Sequence, residues 1–211
     1  MPAEQGGEMF VGAQVSLYPM TDAFVPVILS SLKALDPWRK LLRIETDDVS
    51  TLIVGPPETL FPALREVYIS AAASGHHVVL RCTLSRGCPG EPDDPICQTA
   101  ALSAPNEPLA LRQQAALEAV RKARRTGEAA RAQFSLYVLG MGAHMTEING
   151  CIEFLKASGC FDRAKNFCTR IGGDAGPVFA TLEQAFCRFG PPEGHVTLDL
   201  TVSANSPSTS G

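Results

Sequence analysis

The sequence lacks several features that would assign it to a broad class of proteins. Its 211 residues contain no apolar run near the roughly 18–20 residues that a membrane-spanning helix needs. Lys and Arg number 18 against 22 Asp and Glu, so there is no basic surplus typical of a general nucleic-acid-binding surface. The N-terminal residues lack the basic start and apolar core of a secretory signal. We therefore expect a soluble cytoplasmic protein.

Catalytic and metal-binding motifs are missing as well. There is no G-x-S-x-G, P-loop, G-x-G-x-x-G or H-E-x-x-H motif, and no pair of the seven cysteines has C-x-x-C spacing. No metal and no cofactor is therefore expected. Four cysteines are interpreted as small apolar residues, and two others lie in a Pro/Gly-rich segment where pairing or reaction stays open. The first group is Cys82, Cys151, Cys168 and Cys187, and the second is Cys88 and Cys97.

What the sequence does contain is an internal repeat. Residues 13–18, AQVSLY, return as residues 132–137, AQFSLY, with five of six positions identical. At nearly the same shift, Thr51 returns as Thr169. Matches that keep one register over separated segments predict two homologous copies. We divide the chain into repeat one, 12–90, a Pro-rich and helical linker, 91–130, and repeat two, 131–208.

Each copy follows the order strand, helix, two strands, helix, strand. This βαββαβ order predicts an α+β protein of tandem ferredoxin-like repeats. Each repeat is then a four-stranded antiparallel sheet of strand order 4-1-3-2 with two helices on one face. In copy one the predicted strands are 13–19, 39–46, 49–54 and 76–85, and the helices are 22–35 and 57–73. In copy two we predict helices 144–158 and 177–189, strands 167–172 and 195–203, and a shorter second strand. The linker is predicted to form a loop, 87–108, and a helix, 109–126.

Strand alternation assigns the repeated residues to the two faces of each sheet. Leu17 points toward the helices, whereas Ser16 and Tyr18 point to the opposite face, which needs a cover. The other copy or a dimer partner would provide that cover. Thr51 and Thr169 fall on the helix-covered side, where a hydroxyl needs a backbone group, a water or a ligand as partner. Because a threonine occupies this position in both copies, a ligand is the favoured partner of the hydroxyl.

Several segments resemble the YkoF-like family of thiamine and hydroxymethylpyrimidine-binding proteins. They are SLYPMTD at 16–22, ST at 50–51, GCPG at 87–90 and SANSPS at 203–208. The resemblance covers both repeats. It implies a homodimer with one ligand site per repeat. It also implies a non-catalytic role in vitamin B1 uptake or salvage, beside a thiamine-precursor transporter.

The resemblance also places the site. The expected ligand-binding residues are Ser16, Leu17, Tyr18 and Thr51 in copy one and Ser135, Leu136, Tyr137 and Thr169 in copy two. A Thr hydroxyl and strand-edge backbone groups can form hydrogen bonds with an aminopyrimidine, and a tyrosine ring can make a cation–π contact with the thiazolium of thiamine. Asp22 and Asp174 are candidate counter-charges, with capping or turn roles as the alternative. We expect copy one to be the better site because it keeps Pro19 and Met20, where copy two has glycines nearby.

Two other functions stay open at this stage. A regulatory module of the amino-acid-sensing type shares the βαββαβ plan, although such modules normally accompany a catalytic domain. An enzyme using a cysteine or histidine is the second alternative. His77 and His195 hold equivalent places in the two copies, which favours a structural or ligand-contact role over catalysis.

Overall fold

The computed structural model describes residues 11–87, 107–139, 144–190 and 194–209. Cys88, Cys97 and most of the GCPG motif lie outside the described residues. The strands are β1 (Val11–Pro19), β2 (Arg43–Thr46), β3 (Thr51–Gly55), β4 (Val78–Arg86), β5 (Ala129–Leu139), β6 (Phe161–Ala164), β7 (Thr169–Asp174) and β8 (His195–Ala204). The helices are α1 (Phe24–Lys33), α2 (Pro57–Ala72), α3 (Leu109–Lys122), α4 (His144–Ala157) and α5 (Ala175–Arg188), with 3-10 turns at Asp36–Trp38 and Pro207–Thr209.

The strands form one eight-stranded sheet in the order β2-β3-β1-β4-β8-β5-β7-β6. Each half of this order is the predicted 4-1-3-2 arrangement, and all the strand pairs are antiparallel. The α+β class and the tandem ferredoxin-like plan are therefore confirmed. The two copies join through the pairing of β4 with β8, which we call the seam.

Alternation along the strands sets the position of the core. In β1, Val11, Ala13, Val15 and Leu17 are buried under the helices, and the residues between them are more exposed. The same alternation runs through β4 and β8, so a single cluster of buried apolar side chains extends across both copies. The opposite side of the sheet, which we call the open face, carries Ser16 and Tyr18 as predicted. No helix among the described residues is long and apolar enough to cross a membrane.

Two expectations about the strands are wrong. The second strand of copy one begins at Arg43 rather than at residue 39, because the preceding segment turns. Pro37 favours the 3-10 turn through its fixed φ, and the Trp38 carbonyl then accepts hydrogen bonds from the Leu41 and Leu42 amides. The second strand is therefore four residues long in both copies, so the shorter second strand expected in copy two is wrong as well. The open faces of the two copies form one continuous surface of the single sheet, so of the two predicted covers the other copy is excluded and a dimer partner remains.

The two equivalent histidines stabilise the seam. His77 Nε2 lies 3.0 Å from Ser203 Oγ, and His195 Nε2 lies 2.9 Å from Ser85 Oγ. Each histidine thus pairs with a serine of the other copy. This arrangement favours the structural interpretation of these histidines.

The linker helix docks on the second copy. It ends at Lys122, four residues earlier than predicted, and packs against α4 and α5. Arg112 makes a bidentate ion pair with Glu147 of α4, with N–O distances of 2.7 and 2.8 Å. Leu109 lies so close to Gly150 that an added Cβ would approach its side chain to 2.7 Å. The helix therefore belongs to the folded body of the protein.

Candidate functional site

A cavity of about 300 Å³ lies in the second copy between β5, α4 and the turn that joins β6 to β7. We call it the second-repeat cavity. All four residues predicted for this copy line it, namely Ser135, Leu136, Tyr137 and Thr169. The structure thus brings together the copy-two residues that the sequence places on two different strands.

The cavity exists because β5 is longer than its neighbour β7. The pairing of these strands ends at Phe134↔Thr169, whereas β5 stays paired with β8 as far as Leu139. Beyond Phe134, no strand among the described residues lies beside this edge of β5. Backbone groups at such an edge are available to a ligand.

The roof of the cavity is the apolar face of α4, which sequence reasoning missed. Its lining side chains are Ile148, Cys151, Ile152 and Leu155. Their spacing of three and four residues is the pattern of a core-facing helix, so the sequence alone gives no reason to separate them from the core. Burial raises the pKa of the Cys151 thiol to about 12. This thiol therefore stays protonated near neutral pH and is a poor nucleophile.

The two equivalent serines position the turn over the end of the first strand of each copy. Ser135 Oγ donates a 2.6 Å hydrogen bond to the Phe167 carbonyl, and Ser16 Oγ donates one of 3.1 Å to the Val49 carbonyl. These hydroxyls already have protein partners. Each serine thus holds the turn over the strand end, and its oxygen keeps acceptor capacity.

The two threonines differ in their partners. Thr51 is 3% exposed, and its hydroxyl lies 3.1 Å from the Thr46 hydroxyl on the paired strand. Ala164 stands opposite Thr169, so this second partner is absent in copy two. Within the part of the chain that the structure describes, the Thr169 hydroxyl has no hydrogen bond. It lines the second-repeat cavity as an available donor and acceptor.

The first copy repeats this strand geometry. The pairing of β1 with β3 ends at Val15↔Thr51, while β1 continues beside β4 to Pro19. Leu17 is buried at this end of the strand, and Tyr18 is half exposed. The predicted residues of copy one therefore meet at the corresponding place of the first repeat.

Exposed apolar side chains surround both places. They occupy matching elements: the end of the first strand, the start of the first helix and the turn between the second and third strands. In copy one they are Tyr18, Met20, Phe24 and Val49, and in copy two Tyr137, Leu139, Met145 and Phe167. Large apolar groups left in contact with water at matching positions are typical of a binding surface.

Asp174 does not serve as a counter-charge in the cavity. Its side chain caps α5 by accepting a hydrogen bond from the Gly176 amide, and it also accepts from the amides of Thr126 and Gly127. The capping alternative is therefore the correct one for this residue. No group of three or more potential metal ligands occurs among the described residues.

Comparison with known proteins follows the repeat. The sequence profile of the YKOF-related family matches residues 10–91 and 129–209, so each match contains one set of four predicted site residues. The chain is also 34% identical over 206 residues to a Bacillus subtilis (strain 168) protein named "Putative HMP/thiamine-binding protein YkoF". That similarity covers 96% of this chain and 94% of the relative.

Proposed function

This chain belongs to the YKOF-related family, and on that premise we propose that it binds thiamine or its hydroxymethylpyrimidine moiety without changing it chemically. One site lies in each repeat, formed by Ser16, Leu17, Tyr18 and Thr51 and by Ser135, Leu136, Tyr137 and Thr169. The observation that carries the proposal is the second-repeat cavity, which four predicted residues line beside an unpaired strand edge.

The cavity offers the groups that an aminopyrimidine ring needs. The ring presents donors and acceptors at its edge, which suits the free edge of β5 and the Thr169 hydroxyl. Its flat faces suit the aliphatic roof of α4 and the ring of Tyr137. A micromolar site requires about 8 kcal/mol, which a buried ring and a few hydrogen bonds can supply.

The chemistry of the site favours binding over catalysis. Of the two cysteines that line the cavity, Cys151 is held as a neutral thiol by burial, and His77 and His195 are hydrogen-bonded at the seam. We place the protein in the cytoplasm, in vitamin B1 uptake or salvage, where it would take ligand from a precursor transporter. No cofactor beyond the bound ligand takes part.

Isothermal titration calorimetry with thiamine and with hydroxymethylpyrimidine tests this proposal. We expect binding with two sites per chain and weaker binding at both in the Thr51→Val/Thr169→Val double variant. Mass spectrometry of the recovered ligand should show it unchanged. Conversion of the ligand would establish the enzyme alternative instead, and the absence of binding at millimolar ligand would contradict the proposal.

We further propose a homodimer that covers the open face. Tyr18 and Tyr137 lie on this face about half exposed, at 53% and 49%, among polar side chains of the central strands. Light scattering at micromolar concentration should give twice the 22.5 kDa mass of one chain. A monomer across the whole accessible concentration range would contradict this assembly.

A further inference from the structure

The turns over the two sites have the same backbone geometry. The Asp47 amide donates a 3.0 Å hydrogen bond to the Ser50 carbonyl, and the Lys165 amide donates one of 2.8 Å to the Cys168 carbonyl. The serine of each first strand also bonds the turn carbonyl, as described above. Residues 118 apart therefore occupy equivalent places over the two sites, and their side chains can be compared directly.

The charges carried by these equivalent turns are opposite. Asp47 and Asp48 occupy the turn of copy one, whereas Lys165 and Asn166 occupy that of copy two. Hydrogen bonds from the Ser50 and Val49 amides hold the pKa of Asp47 below its usual value, so this carboxylate stays ionised at neutral pH. Among the described residues that line the second-repeat cavity, Lys165 is the one that carries a charge.

Lys165 has donor capacity left for a ligand. Its ammonium group donates a 2.9 Å hydrogen bond to Gln133 Oε1. An ammonium group has three donors, so two remain. Lys165 is exposed and lines the cavity, with its ammonium group held by Gln133 on the open-face side of β5, whereas Thr169 lines the cavity half-buried on the helix-covered side.

We propose that the second-repeat cavity takes a pyrimidine that carries a phosphate ester, with Lys165 binding the ester, whereas the acidic turn of the first repeat suits the thiazolium cation of thiamine. This inference rests on the proposed function and assigns a different ligand class to each site. A thiazolium beside Lys165 places two positive charges together, and a phosphate beside Asp47 and Asp48 places negative charges together. Two unit charges about 6 Å apart at a protein surface change an affinity by roughly three- to hundredfold.

Calorimetry on the full chain at low ionic strength tests the assignment with four probes: thiamine, hydroxymethylpyrimidine, hydroxymethylpyrimidine phosphate and inorganic phosphate. At the second site we expect the phosphate ester to bind about tenfold more tightly than the neutral pyrimidine, and thiamine more weakly. Added salt should reduce these differences because exposed charges are screened. Inorganic phosphate alone should bind far more weakly, since it lacks the ring that the cavity holds.

Substitution of Lys165 identifies the site. Lys165→Asp installs the residue of the equivalent turn and should reverse the order of thiamine and the phosphate ester at one of the two sites. Lys165→Met should abolish the preference for the ester without reversing it. Arg121→Asp makes the same charge change on the exposed side of α3, away from the cavity, and should leave every affinity unchanged.

The outcomes separate this inference from the function on which it rests. If thiamine and hydroxymethylpyrimidine bind but both sites share one charge preference, the assignment is wrong and the proposed function stands. The same conclusion follows if Lys165→Asp changes the charge preference of neither site. If inorganic phosphate binds as tightly as the ester, recognition of the pyrimidine is excluded at this site. If none of the pyrimidine ligands binds, the proposed function fails and the inference fails with it.

Discussion

Thr51 and Thr169 show how equivalent residues acquire different surroundings. Both fall on the helix-covered side of the sheet at matching positions, as strand alternation predicts. The Thr51 hydroxyl has a partner in Thr46, whereas an alanine faces Thr169 and leaves its hydroxyl to the second-repeat cavity. A hydroxyl can donate one hydrogen bond and accept two, so the Thr46 partner leaves Thr51 part of its bonding capacity, whereas Thr169 keeps all of it.

Replacing each threonine by valine should therefore weaken one binding event at a time. The change keeps the side-chain volume and removes a hydrogen bond worth about 0.5–1.5 kcal/mol, or about 1–3 kcal/mol where a ligand group is left unpaired. Calorimetry should show roughly three- to hundredfold weaker binding at one site in Thr51→Val and at the other in Thr169→Val. Thr46→Val is the matched control. It removes the protein partner of the Thr51 hydroxyl but keeps that hydroxyl, and it leaves copy two unchanged.

Wild-type affinity at both sites in both single variants would show that these threonines serve the core alone. The same titrations rank the two sites. Copy one remains the expected tighter site for thiamine, because it keeps Pro19 and Met20 after the first strand and Asp47 in the turn.

The linker helix α3 is the element that distinguishes the two repeats. Through Arg112 it holds Glu147 in the first turn of α4, and the residues that follow Glu147 on this helix form the roof of the cavity. Glu147 also accepts a 2.9 Å hydrogen bond from the Gly190 amide. The Arg112 and Glu147 side chains are only 12% and 15% exposed, so this pair is screened less than the surface pairs.

Arg112→Gln should lower the free energy of unfolding by about 1.5–3 kcal/mol at neutral pH. The hydrogen bonds from Arg112 hold the pKa of Glu147 below its usual value, against the opposing effect of burial. A carboxyl with a lowered folded-state pKa contributes stability above its unfolded pKa and loses it as the pH falls through the folded one. The difference between the variant and the wild type should therefore shrink in acid.

Urea unfolding at pH 7 and below pH 4 measures both effects. Arg121→Gln changes an exposed arginine of the same helix and serves as the control, with no expected loss of stability. A deficit of the Arg112 variant that stays constant from neutral to acid pH would contradict the role given to Glu147.

Across the whole molecule, the seam converts two repeats into one folding unit. Arg81 and Asp199 are equivalent residues, 118 apart, and they form an ion pair across β4 and β8. If two β4 edges or two β8 edges paired in this way, residues of the same charge would meet at these positions. The opposite charges of Arg81 and Asp199 therefore favour the pairing of β4 with β8 within one chain.

Because the sheet and the buried cluster are continuous, we expect a single cooperative unfolding transition. Trp38 is the only tryptophan, lies in repeat one and packs against the core, so its fluorescence reports on that half. Far-UV circular dichroism reports on both halves. The two probes should give coincident urea curves, and separate midpoints would show that the repeats unfold independently.

The internal repeat, the βαββαβ order and the face on which each strand residue lies can be predicted from the amino-acid sequence. Those features are local, since alternation and helical spacing depend only on neighbouring residues. The sequence also predicted the strand residues of both sites, because the two copies share them. The capping role of Asp174 is one of the two roles that its sequence position predicts, whereas the segment before Arg43 has the sequence pattern of a strand but forms a turn.

The way in which the two copies meet, and the elements that complete the second-repeat cavity, depend on contacts between residues far apart in the sequence. Period-two alternation is the same whether two sheets stack face to face or join edge to edge, so the seam cannot be derived from it. The apolar face of α4 has the sequence pattern of an ordinary core face. It lines a cavity only because β5 extends beyond the end of β7. Likewise, the opposite charges of Asp47 and Lys165 can be compared as parts of two sites only because the structure places both turns over the ends of equivalent strands.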